Sequence, residues 1–363
     1  MLLYIKRNYG DLMNNFKCNL CPRKCNVDRE TVLGYCQAPN KLVIGKYYLH
    51  KWEEPCITGE HGSGTIFFSY CNLKCIFCQN YQISTLNVGK EITIEKFSDI
   101  CLKLQDMHAT NINLVSPTHY VHLIKEGLIL AKKKGLTIPI VYNTSSYELA
   151  STIDMLNGLV DIYLPDLKYY DDNLAKKYSN APNYFKYATK AIEAMYNQVG
   201  PCQFDQEGNI IKGVIVRHLI LPNHLEDSKI ILKYLYSTYK DNIYISIMNQ
   251  YTPLRKLSYD NLNRKLTPSE YDEIIDYAWD LGIRNAFTQE EGTQSDSFVP
   301  DFNCEDIYNY YLIIGYLEII GYLESINFLA ALCPSSMAVS KNNFLTLLYP
   351  LLFILLLQGF SVI

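Results

Sequence analysis

The chain lacks a basic excess. Its 33 Lys and Arg stand against 37 Asp and Glu, a formal net charge of −4. A dedicated nucleic-acid binder would carry a positive balance, so no DNA partner is expected. The chain also lacks a secretory start: Met1-Leu-Leu-Tyr-Ile5 runs at once into Lys6 and Arg7, with no apolar h-region. Without export, its twelve cysteines read as metal ligands rather than disulfides, and the expected compartment is a reducing cytoplasm. One stretch lacks charge altogether. Phe344–Ile363 is long enough to span a bilayer, and it follows a direct tandem of the hexamer IIGYLE at Ile313–Glu318 and Ile319–Glu324. Two readings stand for this tail: membrane attachment through residues 344–363, or a non-functional extension such as a frame change leaves.

What is present is the material of one large α/β domain: 363 residues, 48% of them apolar. Residues 1–60 read as a cysteine-rich, irregular segment. Residues 61–305 alternate strands with helices. Strand candidates lie at Thr65–Tyr70, Asn111–Val115, Ile138–Tyr142, Val160–Leu164, Gly213–Leu221 and Asn242–Met248, with a shorter one at Asn285–Thr288. Helix candidates between them are Ile94–Met107, Tyr120–Lys134, Tyr147–Asn157, Tyr184–Gln198, Ser228–Tyr239 and Ser269–Leu281. This rhythm implies parallel β-α units, and about six of them could close partly into a barrel. Residues 306–363 lose the rhythm and form an apolar extension.

Two sets of cysteines carry the chemistry. Cys71-Asn-Leu-Lys-Cys75-Ile-Phe-Cys78 directly follows the first barrel-like strand. Three thiolates at this spacing can hold three corners of a four-iron cluster and leave the fourth iron open, whereas structural clusters take four cysteines. The competing reading is a zinc site with a distant fourth ligand, but zinc ligands come more often as two C-x2-C pairs. The second set, Cys18, Cys21, Cys25 and Cys36, offers four sulfurs, which suits structural zinc or a second iron–sulfur cluster. Cys56 reads as a buried cysteine, and Cys101, Cys202, Cys304 and Cys333 stand alone. Functional residues of a barrel gather where strands end. The strand ends here carry Ser116-Pro-Thr-His119, Asn143-Thr144, Asp166-Leu-Lys168, Arg217-His218 and Asn249-Gln-Tyr251.

The triplet, with Phe77 before its last cysteine, resembles the cluster motif of the radical S-adenosylmethionine (SAM) enzymes. The segments His50–Gly59, Cys78–Tyr81, Asn111–Val115, Asp161–Lys168 and Arg217–Pro222 are similar to the subgroup related to pyruvate formate-lyase activating enzyme, over roughly residues 16–304. The resemblance implies a partial (β/α)6 TIM-like barrel, a [4Fe-4S] cluster on Cys71, Cys75 and Cys78, and SAM, which is cleaved to a 5′-deoxyadenosyl radical. It implies a low-potential electron donor of flavodoxin or ferredoxin type. Asn143 and Thr144 match that subgroup's strand-end residues near SAM, Asp166 and Lys168 match its Asp-x-Lys segment, and Arg217 matches a SAM-contacting arginine. Its Gly-Gly-Glu segment is replaced here by Ser116-Pro-Thr-His119, which leaves Ser116, Thr118 or a backbone carbonyl to hold the amino group. The resemblance implies a glycyl radical enzyme as target. The alternatives are radical modification of a small molecule, RNA or another protein, or a non-enzymatic metal-binding protein attached to a membrane.

Overall fold

A computed structural model describes residues 17–289, 300–304 and 307, all within the compact unit that ends at Ile307. The IIGYLE tandem, Cys333 and the uncharged tail lie outside the described residues. Among the described residues, no helix is long and apolar enough to cross a membrane.

Ten strands form one sheet: β1 Leu42–His50, β2 Ser63–Phe68, β3 Lys90–Ile92, β4 Ile112–Val115, β5 Ile140–Thr144, β6 Ile162–Pro165, β7 Gln203–Phe204, β8 Ile210–Leu219, β9 Tyr244–Met248 and β10 Ala286–Thr288. Their order is β10-β9-β8-β6-β5-β4-β2-β1-β3, with β7 hairpinned onto β8. The run from β2 through β4, β5, β6, β8 and β9 to β10 is parallel throughout. Its strands β2, β4, β5 and β6 are buried along their whole length, as strands covered on both faces require. The ladder ends at β10 on one side and β3 on the other, so the barrel is partial and open, as its sequence rhythm suggests.

Helices return the chain between these strands. After the short helices α1 Pro55–Thr58 and α2 Tyr81–Ser84 come α3 Ile94–Asp106, α4 Val121–Lys133, α5 Ala150–Asp154, α6 Asp172–Ser179, α7 Tyr184–Val199, α8 Leu225–Tyr239 and α9 Pro268–Leu281. Helix α3 starts where the Thr93 side chain accepts from the Lys96 backbone N–H, and it buries Phe97, Ile100, Cys101 and Leu104 on one stripe. Helix α9 opens with a Thr267–Glu270 capping box and Pro268, and stops at Gly282, whose φ of 94° suits a residue without Cβ.

The structure departs from the sequence reading in several short elements, β3, β7, α1 and α2 among them, and most tellingly in three places. Leu42–His50, read as irregular, is β1, paired antiparallel with β2. A register shift between Ile44 and Lys46 breaks the two-residue alternation that would have marked it. Only Ala150–Asp154 of the expected helix Tyr147–Asn157 is helical, because Ser146 takes a left-handed φ of 62° and bends the chain so that Glu148 is buried. Helix α6 was not expected. Its sequence is polar, and of its residues only Ala175, Tyr178 and Ser179 are buried.

Candidate active site

All seven parallel strands end on one rim, and a cavity of about 580 Å³ opens there. Cys71, Cys75 and Cys78 line one side of it, and Ser116, Asn143, Thr144, Asp166, Lys168 and Arg217 line others. The ladder itself carries these residues. Ser116 N–H donates to the Asn143 carbonyl at 2.9 Å, Asp166 N–H to that of Thr144 at 2.8 Å, and Leu167 N–H to that of Arg217 at 2.8 Å. Sites built on strands hold their geometry better than sites on free loops. Tyr70, Lys74, Ser116 and Ser146 all take left-handed φ values near 60–70° at these strand ends and in the cysteine loop, where backbone strain commonly marks function.

Each sulfur of the triplet accepts a hydrogen bond. Leu73 N–H donates to Cys71 at 3.4 Å, Ser84 Oγ–H to Cys78 at 3.3 Å, and Ser179 Oγ–H to Cys75 at 2.9 Å. Such donors orient ligating sulfurs and tune a cluster. Burial pushes the Cys75 thiol up to about 12, with Lys168 opposing and the neighbouring Cys78 and Cys71 adding to the rise. A coordinating metal deprotonates such thiols outright. Among the described residues, no three or more His, Cys, Asp or Glu side chains converge to hold a single metal ion. A four-iron cluster does not ask for that convergence, since each thiolate binds a different iron. The three sulfurs around one cavity, each with its donor, fit such a cluster.

The same cavity is lined by a buried network of charges. Lys168 Nζ is 2.6 Å from Asp166 Oδ2, and Arg217 Nε is 2.9 Å from Asp166 Oδ1. Arg217 also donates from Nη1 to Glu53 Oε2 at 3.2 Å and from Nη2 to the Asn143 side-chain Oδ1 at 2.6 Å. Burial alone would raise the Asp166 carboxyl, but Arg217 and Lys168 outweigh it and hold it below the usual carboxylate range. The Tyr184 hydroxyl pins this strand end: it accepts from Lys168 N–H at 3.1 Å and lies 2.8 Å from both the Ser145 and Asp166 carbonyls.

Thr118 stands apart from the other expected residues. It does not line the cavity, and its hydroxyl donates at 2.9 Å to Glu148. Thr144 also donates its hydroxyl to Glu148, and Tyr142 donates at 3.0 Å. No local sequence pattern marks Glu148 or Glu53 as a site residue, although Glu53 lies within the segment His50–Gly59.

Cys18, Cys21, Cys25 and Cys36 surround a second, much smaller space of about 10 Å³. Burial pushes Cys21 up to about 12, and Cys36 and Cys18 nearby add to the rise. A Cβ on Gly34 would come within 2.9 Å of Cys25 Sγ, so only glycine lets the backbone pass there. Cys25 Sγ accepts from Tyr35 N–H at 3.3 Å. All four cysteines border this one small space, and four sulfurs are a donor set that suits structural zinc or an iron–sulfur cluster. The segment docks on the triplet loop: Arg23 Nε donates to the Asn72 carbonyl at 2.9 Å, and the Tyr35 hydroxyl to that of Leu73 at 3.3 Å.

With this geometry in place, comparison with known proteins gives the class. Residues 65–203 match the model of the radical SAM superfamily. An uncharacterized protein of Methanocaldococcus jannaschii is 32% identical over 294 residues, covering 76% of this chain and 80% of that protein. The chain belongs to the radical SAM superfamily, whose members cleave SAM at an iron–sulfur cluster. It is similar to pyruvate formate-lyase-activating enzyme of Clostridium pasteurianum, at 26% identity over 199 residues, covering 52% of this chain and 73% of that enzyme. Among solved structures it resembles Streptococcus suis SuiB bound to S-adenosylmethionine, at 15% identity and a TM-score of 0.42, covering 61% of this chain. The chain spans about half the length of SuiB, 48%.

Proposed function

We propose that Cys71, Cys75 and Cys78 hold the [4Fe-4S] cluster and that SAM occupies the cavity beside them, facing Ser116, Asn143, Thr144, Asp166, Lys168 and Arg217. The observation that carries this reading is that the cysteine triplet and the Asp166–Lys168–Arg217 network line one cavity at the strand ends. When bound, the cluster supplies the electron that breaks a sulfonium C–S bond of SAM and yields a 5′-deoxyadenosyl radical. The protein's own part is to bind, orient and exclude water. Lys168 and Arg217, each paired with Asp166, present fixed N–H donors to a carboxylate, and the Ser116–Asn143 ladder bond fixes the neighbouring strand ends. The buried wall around them keeps stray hydrogen donors from the radical.

For the target, the reading we favour is a glycine of a partner protein, so that the chain activates a glycyl radical enzyme with electrons from a flavodoxin or ferredoxin. Support comes from the similarity to the Clostridium pasteurianum activating enzyme. A second reading, radical modification of a small molecule, RNA or another protein, is favoured by Ser116-Pro-Thr-His119 standing in place of Gly-Gly-Glu. The four N-terminal cysteines are proposed as a structural metal site, zinc or a second cluster, in the small space they line. The test of the target is direct. Reduced protein with SAM is incubated with candidate glycyl radical enzymes and examined by electron paramagnetic resonance. A glycyl doublet supports the first reading, and 5′-deoxyadenosine formation without a doublet from any candidate supports the second.

A further inference from the structure

The segment between β1 and α1 belongs to no β-α unit, yet it delivers a buried carboxylate to the cavity. Glu53 lines that cavity with its side chain 9% exposed. Its Oε1 accepts from Asn113 Nδ2 of β4 at 3.0 Å and from Asn143 Nδ2 of β5 at 3.4 Å, and its Oε2 from Arg217 Nη1 of β8 at 3.2 Å. One carboxylate thus ties three strands and the guanidinium together. Arg217 has five N–H groups in a fixed fork, and with Nε on Asp166 and Nη2 on Asn143, Glu53 sets which way the remaining two point.

Charge gives Glu53 a second effect. The buried charges that line the cavity are Lys168, Arg217, Asp166 and Glu53, and the buried Glu54 carboxyl acts on Arg217 from outside the lining. Lys51 also borders the cavity but is exposed to solvent. The His50 imidazole is held low, to about 4, by burial and by Arg217, so it adds no charge near neutrality. Burial pushes the Glu53 carboxyl up while Arg217 and Asn113 oppose the rise, and both of its oxygens accept from N–H donors, which favours the ionised form. Removing its negative charge makes the cavity less favourable to a sulfonium cation where dielectric screening is weak.

We propose that Glu53 is a positioning residue of the SAM site, which aims the Arg217 guanidinium and adds negative charge to the cavity lining so that the site prefers cationic SAM over a neutral thioether. This rests on the reading of the cavity as the SAM site. The test is anaerobic equilibrium binding of SAM and of S-adenosylhomocysteine, which lacks the sulfonium charge, to reconstituted wild type, Glu53→Gln and Glu53→Asp, with cluster content and melting temperature measured alongside. Glu53→Gln should lose affinity for SAM by about tenfold or more and for S-adenosylhomocysteine by clearly less, so that the SAM preference falls. Glu53→Asp keeps the charge and should keep most of that preference. If Glu53→Gln fails to take up a cluster, Glu53→Asp decides, and a collapsed preference there overturns the proposal. So does a Glu53→Gln protein that binds both ligands as the wild type does or loses both equally. A wild type that binds neither ligand overturns the SAM-site reading itself, a result distinct from unchanged preference in the variant.

Discussion

Asp166 is the sole acceptor of the Lys168 ammonium among the described ion pairs and one of two carboxylates on Arg217. Its side chain is 14% exposed, so solvent screens little of the interaction. Replacing it with Asn keeps the shape and one acceptor oxygen but removes the charge. Breaking a buried ion pair by removing one partner costs about 3–5 kcal/mol. Arg217 keeps Glu53, so the lower end applies, about 3 kcal/mol. At roughly 2–4 °C per kcal/mol for a domain of this size, Asp166→Asn should melt roughly 6–12 °C below wild type at pH 7. The sign with pH follows. The carboxyl is held below its usual range in the folded state, so its contribution is full above the ordinary carboxylate pKa and is lost as pH falls through the folded value. The two proteins should therefore converge in melting temperature as the solution is acidified. Scanning calorimetry at matched cluster content across pH reads both effects. A variant within about 1 °C of wild type at pH 7, or a gap that widens toward acid, would refute the reasoning.

Other consequences are simpler to state. Tyr184→Phe removes the hydroxyl that accepts from Lys168 N–H and faces two carbonyls; a loss of about 1–3 kcal/mol is expected, read as a lower denaturant midpoint with an unchanged slope. The buried Glu148 carboxyl is pushed up to about 6, by burial first, with its three hydroxyl donors opposing. The folded state therefore holds this proton more tightly than the unfolded chain. Glu148 should cost stability as pH rises from roughly 4.3 to 6, by about 2 kcal/mol, and Glu148→Gln should abolish that slope in melts across the range.

Much of this architecture is legible in the sequence because it obeys local periods. Helix α3 shows its buried stripe and cap, and the run IVYNT of β5 shows a buried parallel strand. Cys71, Cys75 and Cys78 announce themselves by spacing. Asn143, Thr144, Asp166, Lys168 and Arg217 are placed together by the rule that barrel strands end on one rim, and the structure gathers them there. What stayed hidden depends on long-range geometry. Strand β1 is masked by its bulge. Thr118 sits at a strand end like its neighbours, but Glu148, buried by a bend that no local pattern encodes, draws its hydroxyl away from the cavity. Glu53 comes from a segment outside the β-α rhythm and meets Arg217 across 164 residues of chain.

The central claim is that the triplet holds a cluster that cleaves SAM. The most direct measurement is 5′-deoxyadenosine formation by anaerobically reconstituted, dithionite-reduced protein, with the electron paramagnetic resonance spectrum of the same sample, for wild type and Cys75→Ala. The account predicts a reduced [4Fe-4S] signal that changes when SAM is added, together with 5′-deoxyadenosine, in the wild type, and neither in Cys75→Ala. No cluster signal in the wild type, or undiminished 5′-deoxyadenosine from Cys75→Ala, would contradict it.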